Sequence, residues 1–283
     1  MTEPTLYPES GFLRLRLDIA YDGTNFYGWA IQPEIRTVQA SVEDALSLIA
    51  RHRVETIVAG RTDAGVHATG QVIHVDVPEI LSLDDLGYKL NRLLDQDIRV
   101  MAVAIAPPAF HARFSALRRY YSYQILDANK PVPPLARLDV VPWYRPLDIG
   151  TMNEASALLL GEHDFAAFCK FREGSTTIRT LEKFSWRRDD AGYLIAEVVA
   201  DAFCYSMVRN LVGAVVSVAD ARFEPQWIRA LLENRERVSD SMVFPARGLT
   251  LYQVDYPSDA QLLERAKVTF GRRDEARLEE LDN

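Results

Sequence analysis

Residues 13 to 19 read Leu-Arg-Leu-Arg-Leu-Asp-Ile, so apolar and charged side chains alternate strictly along this stretch. A period of two is typical of a β-strand that has one buried face and one face in water. The apolar set (Leu13, Leu15, Leu17 and Ile19) is therefore expected to face the core. The charged set (Arg14, Arg16 and Asp18) is expected to face water.

Helical and strand patterns then follow each other along the chain. Helical spacing predicts helices at 38–50, with Thr37 as N-cap, and at 82–94, with Ser82 as N-cap and Asp85 at the third helical position. Helices are also predicted at 151–160, 205–219 and 225–232, and strands at 54–59, 71–77, 98–106, 119–126, 178–188, 193–201 and 249–256. Because strict βα alternation is missing, we expect an α+β fold with mainly antiparallel sheets.

The order of elements roughly recurs after Pro107-Pro108. This recurrence predicts two similar halves, each like an α/β sandwich, at 1–107 and 108–257. Residues 258–283 carry many charges of both signs and are expected to form a charged tail, either a terminal helix or disordered.

The composition is that of an ordinary globular protein: 48% of the 283 residues are hydrophobic, 25% are charged, and the net charge is −8. The most apolar stretch, 202–219, is interrupted by Arg209, so it predicts a buried helix and no membrane span. An acidic total taken alone argues against a nucleic-acid partner.

Cysteines and histidines show no ligand spacing. Cys169 and Cys204 are far apart in sequence and lack Cys-x-x-Cys spacing, which argues against a disulfide scaffold or a zinc site. The histidines (52, 67, 74, 111 and 163) are also scattered. These features predict a protein without a metal that works in the reducing cytoplasm.

A glycine-rich segment, 59–70, carries the strongest signal and is named the glycine loop here. It reads Ala-Gly-Arg-Thr-Asp-Ala-Gly-Val-His-Ala-Thr-Gly. The Gly60 to Gly65 spacing fits a phosphate loop, but Val66-His67 replaces the required Lys-Ser/Thr. An Asp63–His67 hydrolytic dyad would need a nucleophile motif, and none is present. A plain turn in which Asp63 caps the loop is the remaining alternative.

The glycine loop resembles the signature of the tRNA pseudouridine synthase A family. Four further segments of the chain resemble motifs of the same family, in the family's order: 21–29 (Tyr-Asp-Gly-Thr-Asn-Phe-Tyr-Gly-Trp), 110–120, 207–213 and 246–257. The resemblance implies an isomerase that converts uridine to pseudouridine in the anticodon stem-loop of tRNA, at positions 38, 39 and 40. It further implies an active-site cleft between the two halves, no cofactor, and a homodimer with RNA lying across both subunits.

By the same resemblance, Asp63 is the nucleophile. A carboxylate can hold a covalent adduct while the uracil is turned and rejoined through C5. Whether Asp63 attacks the sugar or the pyrimidine ring stays open. Arg209 is the only charge between Cys204 and Ala219, and a buried guanidinium needs an anionic partner. An internal ion pair or a snorkelling side chain explains Arg209 alone, whereas the family resemblance points to Asp63 as its partner.

The resemblance also assigns RNA-facing roles. Tyr120 would stack on the target uracil, although an aromatic on a strand is more often a core residue. Arg61 would fill the space of the flipped uridine, with a surface salt bridge as the plain alternative. Five consecutive residues would contact the RNA backbone (Phe110, His111, Ala112, Arg113 and Phe114). Apart from the resemblance, Lys170, Arg172 and Arg179 flank a Gly-Ser-Thr-Thr turn and are predicted to form a second backbone contact.

A local charge excess reconciles the acidic total with RNA. Residues 99–145 hold seven basic and two acidic residues, a net charge of +5, so the remainder carries −13. Binding responds to the local field and not to the total, so this basic strip is expected to face RNA. The alternative function is a non-catalytic RNA-binding protein of similar α+β fold, which would not need Asp63.

Overall fold

The computed structural model describes residues 7–170, 176–234, 243–266 and 268. Within them the strands are β1 (Phe12–Tyr21), β2 (Thr56–Val58), β3 (His67–Pro78), β4 (Ile98–Ile105), β5 (Arg118–Leu126), β6 (Val141–Pro142), β7 (Gly161–Asp164), β8 (Ile178–Arg188), β9 (Leu194–Ala200) and β10 (Leu249–Asp255). The α-helices are α1 (Val38–Ala50), α2 (Leu86–Leu93), α3 (Ile149–Ala157), α4 (Met207–Ala219) and α5 (Gln226–Asn234).

The chain divides into two units, one of Met1–Leu117 with Gln253–Asn283 and one of Arg118–Tyr252. Pro107-Pro108, where the recurrence in the sequence begins, lies inside the first unit. The structure describes the expected tail only up to residue 266 and at residue 268.

In the first unit, β1 lies between β3 and β4 and is antiparallel to both, and β2 pairs with β3. Leu15, Leu17 and Ile19 are fully buried, as the alternation predicts. Arg14 departs from the pattern, since it is only 2% exposed. It is buried because it pairs with Asp76 at 2.7 Å across the β1–β3 register and donates to the carbonyl oxygens of Pro108 and Phe110.

In the second unit, β9 lies between β5 and β8, β8 also pairs with β7, and all three pairings are antiparallel. The short β6 runs parallel to β5. Helix α3 packs on β8 and on α4, and α4 is buried along nearly its whole length. Within the described residues, no helix is long and apolar enough to cross a membrane.

The expectation of a mixed α/β protein with mainly antiparallel pairing is confirmed. Helix α1 has the predicted bounds, but α2 has Asp85 as its N-cap, three residues after the predicted Ser82. The difference arises because Asp85 adopts a left-handed conformation (φ 55°) and occupies the N-cap position itself. Two short strands, β6 and β7, were not predicted.

Cys169 and Cys204 form a disulfide with a Cα–Cα distance of 5.7 Å, so the sequence argument against a disulfide is wrong for this pair. Separation along the chain was a poor guide here, because the segments that carry the cysteines lie side by side. The amide of Lys170 donates to the carbonyl oxygen of Tyr205 at 3.0 Å. Asn210 Nδ2 also donates to the carbonyl oxygen of Phe168 at 2.7 Å.

Candidate active site

The glycine loop connects β2 to β3 in the first unit and makes its tight turn at Asp63. The amide of Val66 donates to the carbonyl oxygen of Asp63 at 3.2 Å, and Gly65 has a φ of +77°, which favours glycine. Beyond the turn the chain enters β3 at His67, four residues earlier than predicted. Asp63 thus lies at the turn of a short loop between two paired strands.

Three consecutive residues of the loop differ in exposure. Arg61 is exposed, Thr62 is buried and Asp63 is half-buried. The two residues expected to act on RNA, Arg61 and Asp63, therefore flank the buried Thr62.

Residues 21–29, named the N-terminal motif here, hold this loop by backbone contacts. The amide of Trp29 donates to the carbonyl oxygen of Thr62 at 3.0 Å, and the amide of Gly65 donates to that of Phe26 at 3.2 Å. Gly28 has a φ of +94°, and a Cβ there would lie 2.8 Å from the carbonyl oxygen of Thr62. The motif needs glycine because its backbone lies directly against the loop.

His67 ties the far end of the loop to the same motif. It is 7% exposed, and its Nδ1 atom lies 3.0 Å from the amide nitrogen of Gly23 and 3.1 Å from Asp22 Oδ1. Because the amide always carries its hydrogen, His67 Nδ1 accepts from the amide of Gly23. A Cβ on Gly23 would overlap the carbonyl oxygen of Val66.

Tyr120 lies on β5 in the second unit, opposite Val199 of β9. It is half-buried, whereas Arg119 and Tyr121 on the other face of the strand are buried. Its ring lies 5.9 Å from that of Tyr252, whose hydroxyl donates to Glu197 at 3.0 Å. Tyr120 is therefore on the more open face of its strand and not in the core.

Arg209 lies in the first turn of α4 and is half-buried. Its Nε donates to the carbonyl oxygen of Phe244 at 2.7 Å, and the amide of Phe244 donates to the carbonyl oxygen of Arg209 at 3.2 Å. This pair of contacts fixes the guanidinium relative to the helix. The Asp63–Arg209 pairing stays a prediction.

Residues 244–248 pack around Tyr123. The Tyr123 hydroxyl donates to the carbonyl oxygen of Pro245 at 2.7 Å, and burial raises its pKa. A Cβ on Gly248 would lie 2.7 Å from the Tyr123 ring, so glycine is required at that position. These contacts keep residues 244–248 against β5, beside Arg209.

The segment expected to touch the RNA backbone is mostly inside the protein. Phe110, His111, Ala112 and Phe114 are at most 6% exposed, and Arg113 alone of the five is exposed. His74 Nδ1 accepts from the amide of Ala112 at 3.0 Å, and the Tyr256 hydroxyl donates to the carbonyl oxygen of Ala112 at 2.7 Å. The buried residues therefore present Arg113 on a fixed backbone.

A model of the family described as tRNA pseudouridine synthase matches residues 19–115 and 155–257. A tRNA pseudouridine synthase A of Frankia casuarinae is 54% identical over 260 residues, which cover 92% of this chain and 95% of the relative. A second, of Streptomyces griseus, is 52% identical over 91% of this chain and 93% of the relative.

The chain belongs to the tRNA pseudouridine synthase A family. Members of this family are isomerases, and the resemblance carried by the glycine loop is confirmed at the level of the family. Among solved structures, a Cbf5-Nop10-Gar1 complex matches 72% of this chain and 54% of its own chain, at 12% identity and a TM-score of 0.30. That likeness is too low to carry an argument.

In this member of the tRNA pseudouridine synthase A family, some of the charges in the basic strip (residues 99–145) are paired or buried. Arg118 pairs with Glu182, and Arg145 lies 3.3 Å from Asp220. Arg119 is 7% exposed and donates to the carbonyl oxygen of Asp201. Since ion pairing and burial engage these three, the charge open to RNA is smaller than +5.

The second expected backbone contact is only partly described. Lys170 is exposed, with its Nζ 5.4 Å from the Tyr205 ring centroid. Arg179 donates to the carbonyl oxygens of Ile178 and Thr176, and burial lowers its pKa. Arg172 lies outside the described residues. Among those that are described, no group of three or more His, Cys, Asp or Glu could hold a metal ion.

Sequence reasoning missed several supporting residues in this family member. Gln71 is fully buried behind the glycine loop, and His74 and Arg14 hold the segment with Arg113. For Gln71 and His74 a signal was available in the sequence. Each is a polar residue of β3 whose apolar neighbours predict burial. For Arg14 the alternating pattern predicted exposure to water and not burial.

Proposed function

We propose that this protein isomerises uridine to pseudouridine in the anticodon stem-loop of tRNA, at positions 38, 39 and 40, with Asp63 as the nucleophile. The observation that carries the proposal is the glycine loop, which presents Asp63 and Arg61 around the buried Thr62 and is held by the N-terminal motif. Membership of the family supplies the reaction type.

The reaction balances without any added reagent. The bond between N1 of uracil and C1′ of ribose breaks, and a bond between C5 and C1′ forms. The hydrogen on C5 leaves as a proton, and N1 gains one. A carboxylate that forms and then releases a covalent adduct, with the sugar or with the ring, keeps the two fragments together while the base turns.

Access to the uridine requires that the base leave its stack. We propose that Arg61, exposed one residue before the anchor, occupies the vacated space. Tyr120, on the more open face of β5, stacks on the flipped uracil. Arg209, oriented by Phe244, pairs with the Asp63 carboxylate.

For RNA outside the active site, we propose that Arg113 contacts the phosphate backbone, because it is exposed on a segment held at both its amide and carbonyl ends. Phe110, His111, Ala112 and Phe114 support it from inside. Lys170 is a further candidate contact.

We also propose that the protein acts as a homodimer in the cytoplasm. As the family resemblance implies, we propose that the active site lies in a cleft between the two halves of the chain. Light scattering coupled to size-exclusion chromatography tests the dimer. The reaction itself is tested by release of tritium from tRNA labelled at uridine C5, because formation of the C5–C1′ bond displaces the C5 hydrogen.

A further inference from the structure

Three buried polar side chains form a connected group behind the glycine loop: Tyr21, Thr62 and Gln71, which are 5%, 7% and 0% exposed. The Tyr21 hydroxyl lies 2.8 Å from Thr62 Oγ1. Gln71 Nε2 lies 3.2 Å from the Tyr21 hydroxyl and 2.8 Å from the carbonyl oxygen of Gly60. Strand β1 is thereby joined to two points of the loop through side chains.

The hydrogen positions follow from the connections. Gln71 Oε1 accepts from the amide of Val72 at 3.2 Å, so the amide group of Gln71 is oriented with Nε2 toward the loop. Nε2 therefore donates to the Tyr21 hydroxyl, whose own hydrogen is left for Thr62 Oγ1. Burial raises the pKa of Tyr21 to about 12, so the phenol keeps that hydrogen at neutral pH.

Thr62 is thus anchored twice. Its carbonyl oxygen accepts from the amide of Trp29, and its hydroxyl meets that of Tyr21. Residues on either side, Arg61 and Asp63, are more exposed than Thr62 and are the ones assigned to act on RNA. A rotation of the Thr62 peptide would displace both at once.

We infer that Tyr21 is a positioning residue of the isomerase reaction: through Thr62 and Gln71, its buried hydroxyl fixes the backbone that presents Asp63 and Arg61. This inference rests on the proposed function. Nucleophilic attack requires placement of the reacting atoms to within a fraction of an ångström, so a loosened anchor lowers the rate of the chemical step more than it weakens RNA binding.

The test uses Tyr21→Phe, Thr62→Val and the double variant, with Thr62→Ser as the conservative substitution that keeps a hydroxyl. Thr56→Val is the matched control. Thr56 is a 4% exposed threonine of the same unit whose hydroxyl donates to Glu43 at 2.9 Å, away from the glycine loop. The kcat and KM for tritium release and the Kd for tRNA are measured well below each variant's Tm.

Tyr21→Phe and Thr62→Val are expected to lower kcat by about tenfold each, with KM and Kd within about twofold of the parent. The double variant is expected to be no slower than the slower single variant, because both remove the same hydrogen bond. Thr62→Ser restores kcat, and Thr56→Val lowers Tm without lowering kcat.

The inference is overturned if Tyr21→Phe and Thr62→Val keep the parent kcat, or if their losses multiply in the double variant. It is also overturned if Thr56→Val lowers kcat as much as Thr62→Val, because the effect would then be one of general stability. Asp63→Asn separates this failure from that of the proposed function. Without Asp63-dependent tritium release in the parent protein, the proposed function and the inference both fail.

Discussion

His74 Nδ1 accepts a hydrogen bond of 3.0 Å from the amide of Ala112, and the His74 ring lies 4.8 Å from that of His111. His111 Nδ1 in turn accepts from the amide of Phe114 at 3.1 Å. Both imidazoles are neutral in this arrangement. Burial lowers the pKa of His111 to about 3 and that of His74 well below 6.5, and the Arg14 charge acts in the same direction.

These two histidines predict that the protein loses stability in mild acid. Below pH 6.5 these histidines are protonated in the unfolded chain but stay neutral in the folded chain. The free energy of unfolding therefore falls by about 1.4 kcal/mol per histidine for each pH unit, until the pH reaches the pKa of the folded state. Urea unfolding at pH 7 and pH 5 measures this loss. His74→Gln is expected to reduce the pH dependence of the free energy of unfolding, and His52→Gln, at an exposed position, is the control. A parent protein equally stable at both pH values would contradict the prediction.

Gly23 is predicted to be intolerant of any side chain. A Cβ at this position overlaps the carbonyl oxygen of Val66, so Gly23→Ala must push the glycine loop away from the N-terminal motif. We expect a loss of activity of at least about tenfold, measured as tritium release, together with a lower Tm. In the control Gly87→Ala, the new Cβ meets Val103 at an ordinary 3.6 Å within α2 and should stabilise the helix by about 0.5–1 kcal/mol. Wild-type activity of Gly23→Ala would show that the loop can move without consequence.

Tyr120 is predicted to bind RNA through its ring and not through its hydroxyl. Tyr120→Phe should keep most tRNA affinity, and Tyr120→Ala should lose about 1–3 kcal/mol of it, which is the usual contribution of a base stacked on an aromatic side chain. Filter binding to tRNA measures both variants. Tyr88→Ala, which removes an exposed tyrosine of α2, serves as the control and should bind normally. Equal affinities for the two Tyr120 variants would remove the stacking role.

Arg209 is predicted to pair with the nucleophile. Arg209→Met should lower turnover, because the Asp63 carboxylate loses its cationic partner. Steady-state rates of tritium release test this, with Arg229→Met, an exposed arginine of α5, as the control. An unchanged rate for Arg209→Met would show that Arg209 is only a structural partner of Phe244.

Much of the local structure could be predicted because it depends on local sequence. Helix α1 and strand β8 have the predicted bounds, and the buried face of β1 follows its alternation. The start of α2 was wrong because it depends on one residue, Asp85, adopting a left-handed backbone. Strand β7 is polar and only four residues long, so its pattern did not differ from that of a loop.

The candidate site was also predicted only in part from the sequence. Residue types and spacing in the glycine loop indicated Asp63 and Arg61. The sequence did not show why the N-terminal motif needs glycine at positions 23 and 28. Gly23 is required because Val66 lies against it, and Gly28 because Thr62 does. Such contacts join residues that are 34 to 43 positions apart, and only the folded chain shows which residues meet. The burial of Arg14 and the Cys169–Cys204 pairing were missed for the same reason.

The most direct test of the central claim compares tritium release by the parent protein and by Asp63→Asn, on tRNA labelled at uridine C5. The substitution keeps the size of the side chain but removes its negative charge and its nucleophilicity. We predict that the parent releases tritium and that Asp63→Asn releases none while still binding the tRNA. Asp84→Asn, an exposed aspartate of the same unit, should behave like the parent. Tritium release by Asp63→Asn at the parent rate would contradict the account.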